Sequence, residues 1–126
     1  SDVLTLHPTY TKGQAALLSL ADLSRMKPSA LLVNTTNAGL IETDALMGAL
    51  NRGRPGSAAV DVFDTEPPAP GHTLVRLENC LSTPHIGAVE IDTLESDYAA
   101  AFATIEAYAL GEPVNEINPR AQALRR

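Results

Sequence analysis

Three residues in one stretch of the sequence could exchange a proton with a substrate. Asp61, Glu66 and His85 all lie between Ala59 and Gly87, close to the ends of short apolar runs. A carboxylate beside a histidine orients the imidazole ring and raises its pKa, which suits a general acid. Glu66 and His85 are therefore predicted to form a proton-transfer pair.

Four apolar runs predict the strands that would position these residues, at 3–6, 30–33, 58–62 and 80–83. Helical spacing separates the first three runs, and the order strand, helix, strand, helix, strand is typical of right-handed crossover units. The run at 30–33 does not alternate between apolar and polar residues, as expected for a strand covered on both faces. The sequence therefore predicts an α/β layer with a parallel sheet, and the first run is interpreted as a buried strand.

The remaining segments predict helices and loops. Residues 15–26 have apolar spacing for one or two short helical segments, and Thr43 is predicted to cap a helix that ends near Gly53. Residues 63–79 are predicted to be a loop. A long helix is predicted from about Glu90 to Leu110, with Gly111 placed to end it.

Ligands of an open parallel sheet bind beyond the carboxyl ends of its strands. These ends carry polar residues in all four cases: His7-Pro8, Asn34-Thr35-Thr36-Asn37, Asp61 with Glu66 nearby, and Thr83-Pro84-His85. Purely structural roles are also open to them. His7 could bond a neighbouring carbonyl, residues 34–36 could satisfy a turn, and Asp61 needs either a ligand or a local backbone partner because an unpaired buried carboxylate is costly.

Composition excludes several classes of partner. The net charge of -6 argues against nucleic acid and anionic membranes, and no apolar run has the length of a membrane span. The single cysteine, Cys80, excludes an internal disulfide and is expected to be buried. We expect a cytoplasmic protein that acts on a small molecule. No metal site is predicted. A metal-dependent hydrolase using His7, His72 and His85 is the weakest of the possible functions, because the spacing of these histidines matches no set of metal ligands.

Four motifs in order resemble the C-terminal part of D-isomer-specific 2-hydroxyacid dehydrogenases: LSRMKP (23–28), LLVNTT-x-x-GLI (31–41), AAVDVFDTEPP (58–68) and TPHIG (83–87). The resemblance covers residues 2 to about 119. It implies a Rossmann-type NAD-binding domain, of which residues 1–89 would be the C-terminal half. Residues 90–126 would be a long helix and a tail that returns toward a substrate domain. The motif G-x-G-x-x-G is absent, so a pyrophosphate loop would lie outside this chain.

The resemblance also implies roles for individual residues. His85 would protonate the substrate carbonyl oxygen while nicotinamide delivers hydride, and Glu66 would orient the histidine. Asp61 would hold the nicotinamide carboxamide. The other residues implied to line the cofactor site are His7, Pro8, Asn34, Thr35, Thr36 and Gly87, together with His85. NAD is the expected cofactor, NADP stays open, and the full-length protein is expected to be a homodimer.

One residue departs from the family pattern. The catalytic arginine of the N-T-x-R-x-G loop corresponds to Asn37, which is shorter and neutral and cannot form a bidentate fork with a carboxylate. Two functions follow as alternatives. The first is NAD-dependent oxidation and reduction of a D-2-hydroxy acid, for which this chain alone would be inactive. The second is an NAD-binding regulatory or interaction module without turnover.

Overall fold

A computed structural model describes residues 1–11 and 13–118 of the chain. Its four strands form one parallel sheet in the order β1-β2-β3-β4, with β1 at Val3–Leu6, β2 at Leu31–Asn34, β3 at Ser57–Val60 and β4 at Cys80–Ser82. Each strand falls on one of the predicted apolar runs. The predicted α/β fold with a parallel sheet is confirmed.

Only one face of the sheet is well buried within the described residues. The strand register places Leu32, Ala58 and Cys80 in one row, and all three are buried. On the opposite face Val33 is half-buried and Leu81 is 69% exposed. The expectation that β2 is covered on both faces is therefore wrong for this part of the chain, since burial along it alternates.

Strand β1 is less buried than its apolar sequence predicts. It lies at the edge of the sheet, paired with β2 alone. Val3 is 56% exposed and only Leu6 is buried. The prediction of a buried first strand is wrong because an edge strand has a neighbour on one side only.

One short helix, α1 (Leu20–Leu23), lies within residues 15–26, which confirms the prediction of one or two short helical segments there. The backbone N–H groups of Leu17 and Leu18 donate to the carbonyl of Leu40, which commits residues 17–18 to pairing with another segment. The helix starts only at the Ser19 cap, where the Ser19 and Asp22 side chains form a capping box.

Helix α2 (Ala45–Asn51) begins after Asp44, so the prediction that Thr43 caps it is wrong. Asp44 has a left-handed backbone (φ 60°) and makes no side-chain capping hydrogen bond. Helix α2 contacts α1, and Leu46 and Leu50 pack with Leu23 against the buried face of the sheet. A further short helix, α3 (Thr73–Arg76), lies inside the segment predicted to be a loop.

The chain divides into two compact units, Ser1–Gly87 and a second that begins at Ala88. The second contains α4 (Ile91–Ala109), which confirms the predicted long helix. Gly111 has φ 83° and its N–H donates to the carbonyl of Tyr108, so glycine does end this helix. Within residues 1–11 and 13–118, no helix combines the length and apolar character needed to span a bilayer.

Gly56 is required by a close backbone contact. A Cβ atom at this position would lie 1.8 Å from the carbonyl oxygen of Pro28. Because the obstructing atom belongs to the backbone, Gly56→Ala should lower the free energy of unfolding by about 1–3 kcal/mol. Urea denaturation measures this, with Gly71→Ala as the control, since no heavy atom lies within 4 Å of its added Cβ. Equal free energies of unfolding for the two variants would contradict the close contact between position 56 and the Pro28 carbonyl.

Candidate active site at the carboxyl ends of the strands

His85 and Glu66 form a hydrogen-bonded pair beyond the ends of β3 and β4. The distance between His85 Nδ1 and Glu66 Oε2 is 2.7 Å. The other oxygen of the carboxylate, Oε1, accepts the backbone N–H of Phe63 at 3.0 Å, which holds Glu66 in place. The predicted pair is thus present in the structure, and its catalytic role stays a prediction.

The pair sets the protonation of both side chains. An ionised carboxylate only accepts hydrogen bonds, so Nδ1 of His85 is the donor and Nε2 is left to exchange a proton. The hydrogen bond to Glu66, followed by the negative charge of Glu66, raises the pKa of His85. The same hydrogen bond, followed by the Phe63 N–H, lowers the pKa of Glu66. Both side chains remain accessible, with His85 56% exposed and Glu66 36% exposed.

His85 has a left-handed backbone conformation, with φ 56°. This conformation is uncommon outside glycine, although histidine adopts it more readily than most residues. It persists only where the surrounding structure holds it.

Asp61 follows β3 directly and is buried, at 4% exposure. Its Oδ1 accepts the Thr83 hydroxyl at 2.5 Å and the Ile86 N–H at 3.0 Å, and its Oδ2 accepts the Gly87 N–H at 2.9 Å. The bond from Thr83, followed by the two backbone bonds, holds the pKa of Asp61 below its usual value. Asp61 therefore has partners within the chain, two of them backbone N–H groups, although they lie 22 to 26 residues away in sequence.

Asn37 uses its side chain to cap a short 3-10 turn at Ala38–Leu40. Its Oδ1 accepts the N–H of Gly39 at 2.9 Å. This leaves the Asn37 amide N–H groups as the donors that it could offer to a ligand.

The neighbouring Asn34 is 2% exposed and organises the same loop. Its amide group donates to the carbonyl of Asn37, and its Oδ1 accepts the N–H groups of Thr36 and Asn37. The hydroxyl of Thr36 donates to the carbonyl of Leu6 at 2.6 Å, which joins this loop to the end of β1. Asn34 and Thr36 thus have the turn-stabilising roles that the sequence left open.

The remaining predicted residues lie at the surface. Thr35, His7 and Pro8 are exposed. His7 Nε2 lies 2.8 Å from the hydroxyl of Thr5, so its partner is a side chain and the alternative of a bonded carbonyl is not what the structure shows. Their roles in holding a cofactor stay predictions.

One cavity, of about 370 Å³, brings several of the predicted residues together. Thr36, Asn37, Glu66 and His85 all line it, whereas His7, Pro8, Asn34, Thr35, Asp61 and Gly87 do not. The lining residues that were not predicted are Tyr10, Ala38, Gly39, Val62, Phe63 and Asp64. Their proximity in sequence to Asn37 and Glu66 was the one signal that could have found most of them.

Tyr10 packs closely over the cap turn in this cavity. A Cβ atom on Gly39 would lie 2.5 Å from Cζ of the Tyr10 ring, so a larger residue there would require the Tyr10 side chain to move. Nothing in the spacing of Tyr10 predicts this contact.

The three histidines have separate surroundings. His72 packs edge-on against Phe63, with ring centroids 5.2 Å apart, while His7 contacts Thr5 and His85 contacts Glu66. Among the described residues, no group of three or more potential ligands is placed to hold a metal ion.

Residues 1–87 match a protein family described as D-isomer specific 2-hydroxyacid dehydrogenase, NAD binding domain. The chain belongs to this family. The match covers the whole sheet and the His85–Glu66 pair. The expected family and the NAD-binding class of domain are thereby confirmed.

Known 2-hydroxyacid dehydrogenases resemble the chain in sequence. It is 38% identical over 88 residues to D-3-phosphoglycerate dehydrogenase of Archaeoglobus fulgidus, covering 70% of this chain and 17% of that protein. It is 34% identical over 119 residues to glycerate dehydrogenase of Methylorubrum extorquens, covering 93% of this chain and 38% of that protein.

A solved structure resembles it as well. The crystal structure of an oxidoreductase from Ralstonia solanacearum shares 49% identity at a TM-score of 0.89, covering 94% of this chain and 35% of that one. The chain thus spans well under half the length of these dehydrogenases.

Proposed function

We propose that this chain forms part of an NAD-dependent oxidoreductase that acts on the CH–OH group of a D-2-hydroxy acid, or on the carbonyl group in the reverse direction. The observation that carries the proposal is the 2.7 Å hydrogen bond between His85 and Glu66, at the wall of a cavity beside the strand ends. Such a pair performs general acid and base catalysis. The family match supports the hydride chemistry that accompanies it.

In the proposed mechanism, His85 handles the proton at its exposed ring. When bound, the nicotinamide supplies or accepts the hydride. During reduction, protonated His85 donates from Nε2 to the substrate carbonyl oxygen, and during oxidation the neutral ring accepts the hydroxyl proton at the same atom. Glu66 keeps Nδ1 as the donor and stabilises the charged ring, so the proton moves only at Nε2.

Asp61 is the residue that would hold the nicotinamide end of the cofactor. A carboxylate has about four acceptor positions, and three of those on Asp61 are used by the 83–87 loop. One position on Oδ2 is left for a carboxamide N–H. The predicted contacts of His7, Pro8, Asn34, Thr35, Thr36 and Gly87 with NAD belong to the same proposal, as does the use of NADP in its place.

Asn37 is the feature on which the alternative of a binding module rests. Neither the family match nor the similar dehydrogenases support that alternative. We infer instead that Asn37 offers an uncharged amide N–H to the substrate, because its Oδ1 is committed to Gly39. The donor is weaker than an arginine fork, so any positive charge for the substrate carboxylate would have to come from other residues.

The wider organisation belongs to the same proposal. Residues 1–89 would complete an NAD-binding domain, and 90–126 would lead toward a substrate domain. The intact protein would be a cytoplasmic homodimer. The buried free thiol of Cys80, whose pKa is raised by burial, is compatible with a reducing compartment.

Glu66→Gln tests the proposal in the longest form of the protein that contains this chain. With short 2-oxo acids and NADH or NADPH, reduction by the unchanged protein should fall as pH rises through the pKa of His85, above its ordinary value near 6.5. Because Glu66 raises the pKa of His85, it keeps the ring protonated to higher pH. Removing the Glu66 charge should therefore move the fall in the reduction rate to lower pH. NADH absorbance measured from pH 5 to 9 gives the profile.

The matched control is Glu78→Gln, which removes one negative charge from an exposed residue just before β4, at the other end of the strand. Its profile should stay unchanged. Absence of turnover with every 2-oxo acid and both cofactors would overturn the proposed function. Turnover with a profile that Glu66→Gln does not move would exclude the His85–Glu66 pair as its acid.

A further inference from the structure

The buried carboxylate of Asp61 is the centre around which the His85 loop is folded. Its three donors are the Thr83 hydroxyl and the N–H groups of Ile86 and Gly87. One donor precedes His85 in the chain and two follow it, so the histidine lies on a short arch whose two ends are fixed to one side chain.

The arch explains how His85 is kept in its left-handed conformation. A non-glycine residue with φ near 56° is disfavoured by contacts between Cβ and the backbone. The Thr83 N–H also donates to the carbonyl of Val60, which fixes the first end of the arch to β3. With both ends held, the residue between them has little freedom to relax to negative φ.

Gly87 shows that the fit around the carboxylate is close. A Cβ atom there would lie 2.9 Å from Oδ2 of Asp61, at the same distance as the hydrogen bond that the Gly87 N–H makes. Any side chain at position 87 would push the carboxylate away from the arch. The TPHIG motif therefore supplies the donors and the space that Asp61 needs.

We propose that Asp61 is a positioning residue for the proton-transfer pair: by anchoring both ends of the 83–87 arch, it holds His85 in the left-handed conformation that brings the ring to Glu66. Its effect on turnover rests on the proposed function, whereas its effect on the geometry of the pair does not. Among the hydrogen bonds of the described residues, none joins Asp61 to the His85 side chain.

Asp61→Asn is the first test, in the longest form of the protein that contains this chain, labelled with ¹⁵N at histidine and glycine. Asparagine keeps the shape but presents an N–H group to one of the arch donors. The Gly87 amide proton resonance should move upfield, and the pKa of His85, read from its ring resonances, should fall toward that of a free histidine. The turnover number for 2-oxo acid reduction should fall about 100-fold, with a smaller change in KM.

Thr83→Val separates positioning from the negative charge of Asp61. Among the described residues, the negative charges of Glu66 and Asp61 act on His85, and Asp64 lines the same cavity. Valine at 83 removes a hydroxyl without altering any of these charges. In Thr83→Val the same changes in the His85 resonances should appear to a smaller extent. Thr83→Ser keeps the hydroxyl, so its His85 resonances should match those of the unchanged protein. Glu78→Gln, which matches the lost charge, should leave them unchanged.

Two results would overturn the proposal. One is a His85 pKa in Asp61→Asn equal to that of the unchanged protein. The other is a change in Asp61→Asn that Thr83→Val does not reproduce, since the charge of Asp61 would then be sufficient. If the resonances change as expected but no 2-oxo acid is reduced by the unchanged protein, the proposed function fails and the positioning role stands.

Discussion

Replacing His85 by glutamine is expected to lower the turnover number for 2-oxo acid reduction by about 10²- to 10⁴-fold, the range typical of a lost general acid. Glutamine can donate a hydrogen bond to the substrate oxygen but cannot release a proton to it. The substitution also leaves the Glu66 carboxylate without its 2.7 Å partner. NADH affinity should change little, because Asp61 and the strand-end loops keep their own hydrogen bonds.

Stopped-flow measurement of NADH oxidation, together with NADH titration by fluorescence, separates the two effects. His72→Gln is the matched control: it makes the same change at a histidine that packs against Phe63 and does not line the cavity that contains His85 and Glu66. Turnover by His85→Gln within tenfold of the unchanged protein would contradict the role of His85 as the acid. A large loss of NADH affinity would assign it to cofactor binding instead.

The sheet and its functional edge could be predicted because both depend on local patterns. Continuous apolar runs such as 31–33 mark the strands of a parallel sheet, and the polar residue that follows each run must then lie at the carboxyl edge. This placed Asn37, Glu66 and His85 near one another without any coordinates. The degree of burial could not be predicted, since Val3 lies on the edge strand β1 and Leu81 on the face of the sheet that is less covered.

The extent of the helices could not be predicted from local preference. Residues 17–18 have helical spacing, yet their N–H groups donate to Leu40, more than twenty residues later. Thr43 is a good capping residue, but α2 starts after the left-handed Asp44. Helix α3 has only four residues, too few to produce a periodic pattern.

The partners of Asp61 illustrate the same limit within the site. The sequence shows that a carboxylate in an apolar run needs a partner, because burial without one is costly. It does not show that the partners are Thr83, Ile86 and Gly87, which lie 22 to 26 residues further along the chain. Only the parallel alignment of β3 and β4 brings them to the carboxylate.

Asn37→Arg is expected to raise kcat/KM for a 2-oxo acid by roughly 30-fold to several thousandfold, if the site accepts a carboxylate without another cation beside it. The estimate corresponds to about 2–5 kcal/mol for a desolvated, charged hydrogen-bonded contact. Arginine would present a planar fork to the carboxylate and carbonyl oxygens, where the Asn37 amide makes one neutral bond at best. It would also lose the cap on Gly39, at a cost to stability of about 0.5–2 kcal/mol.

Two comparisons identify the source of any gain. Asn37→Lys adds the same charge without the fork, so it should recover only part of the effect of arginine. The amide of the same 2-oxo acid lacks the negative charge, and Asn37→Arg should not improve its reduction. Equal gains for acid and amide would mean that arginine acts on the carbonyl oxygen alone. No gain for either would mean that Asn37 belongs to a site whose charge for the carboxylate is supplied elsewhere, and that its cap on Gly39 is its main contribution.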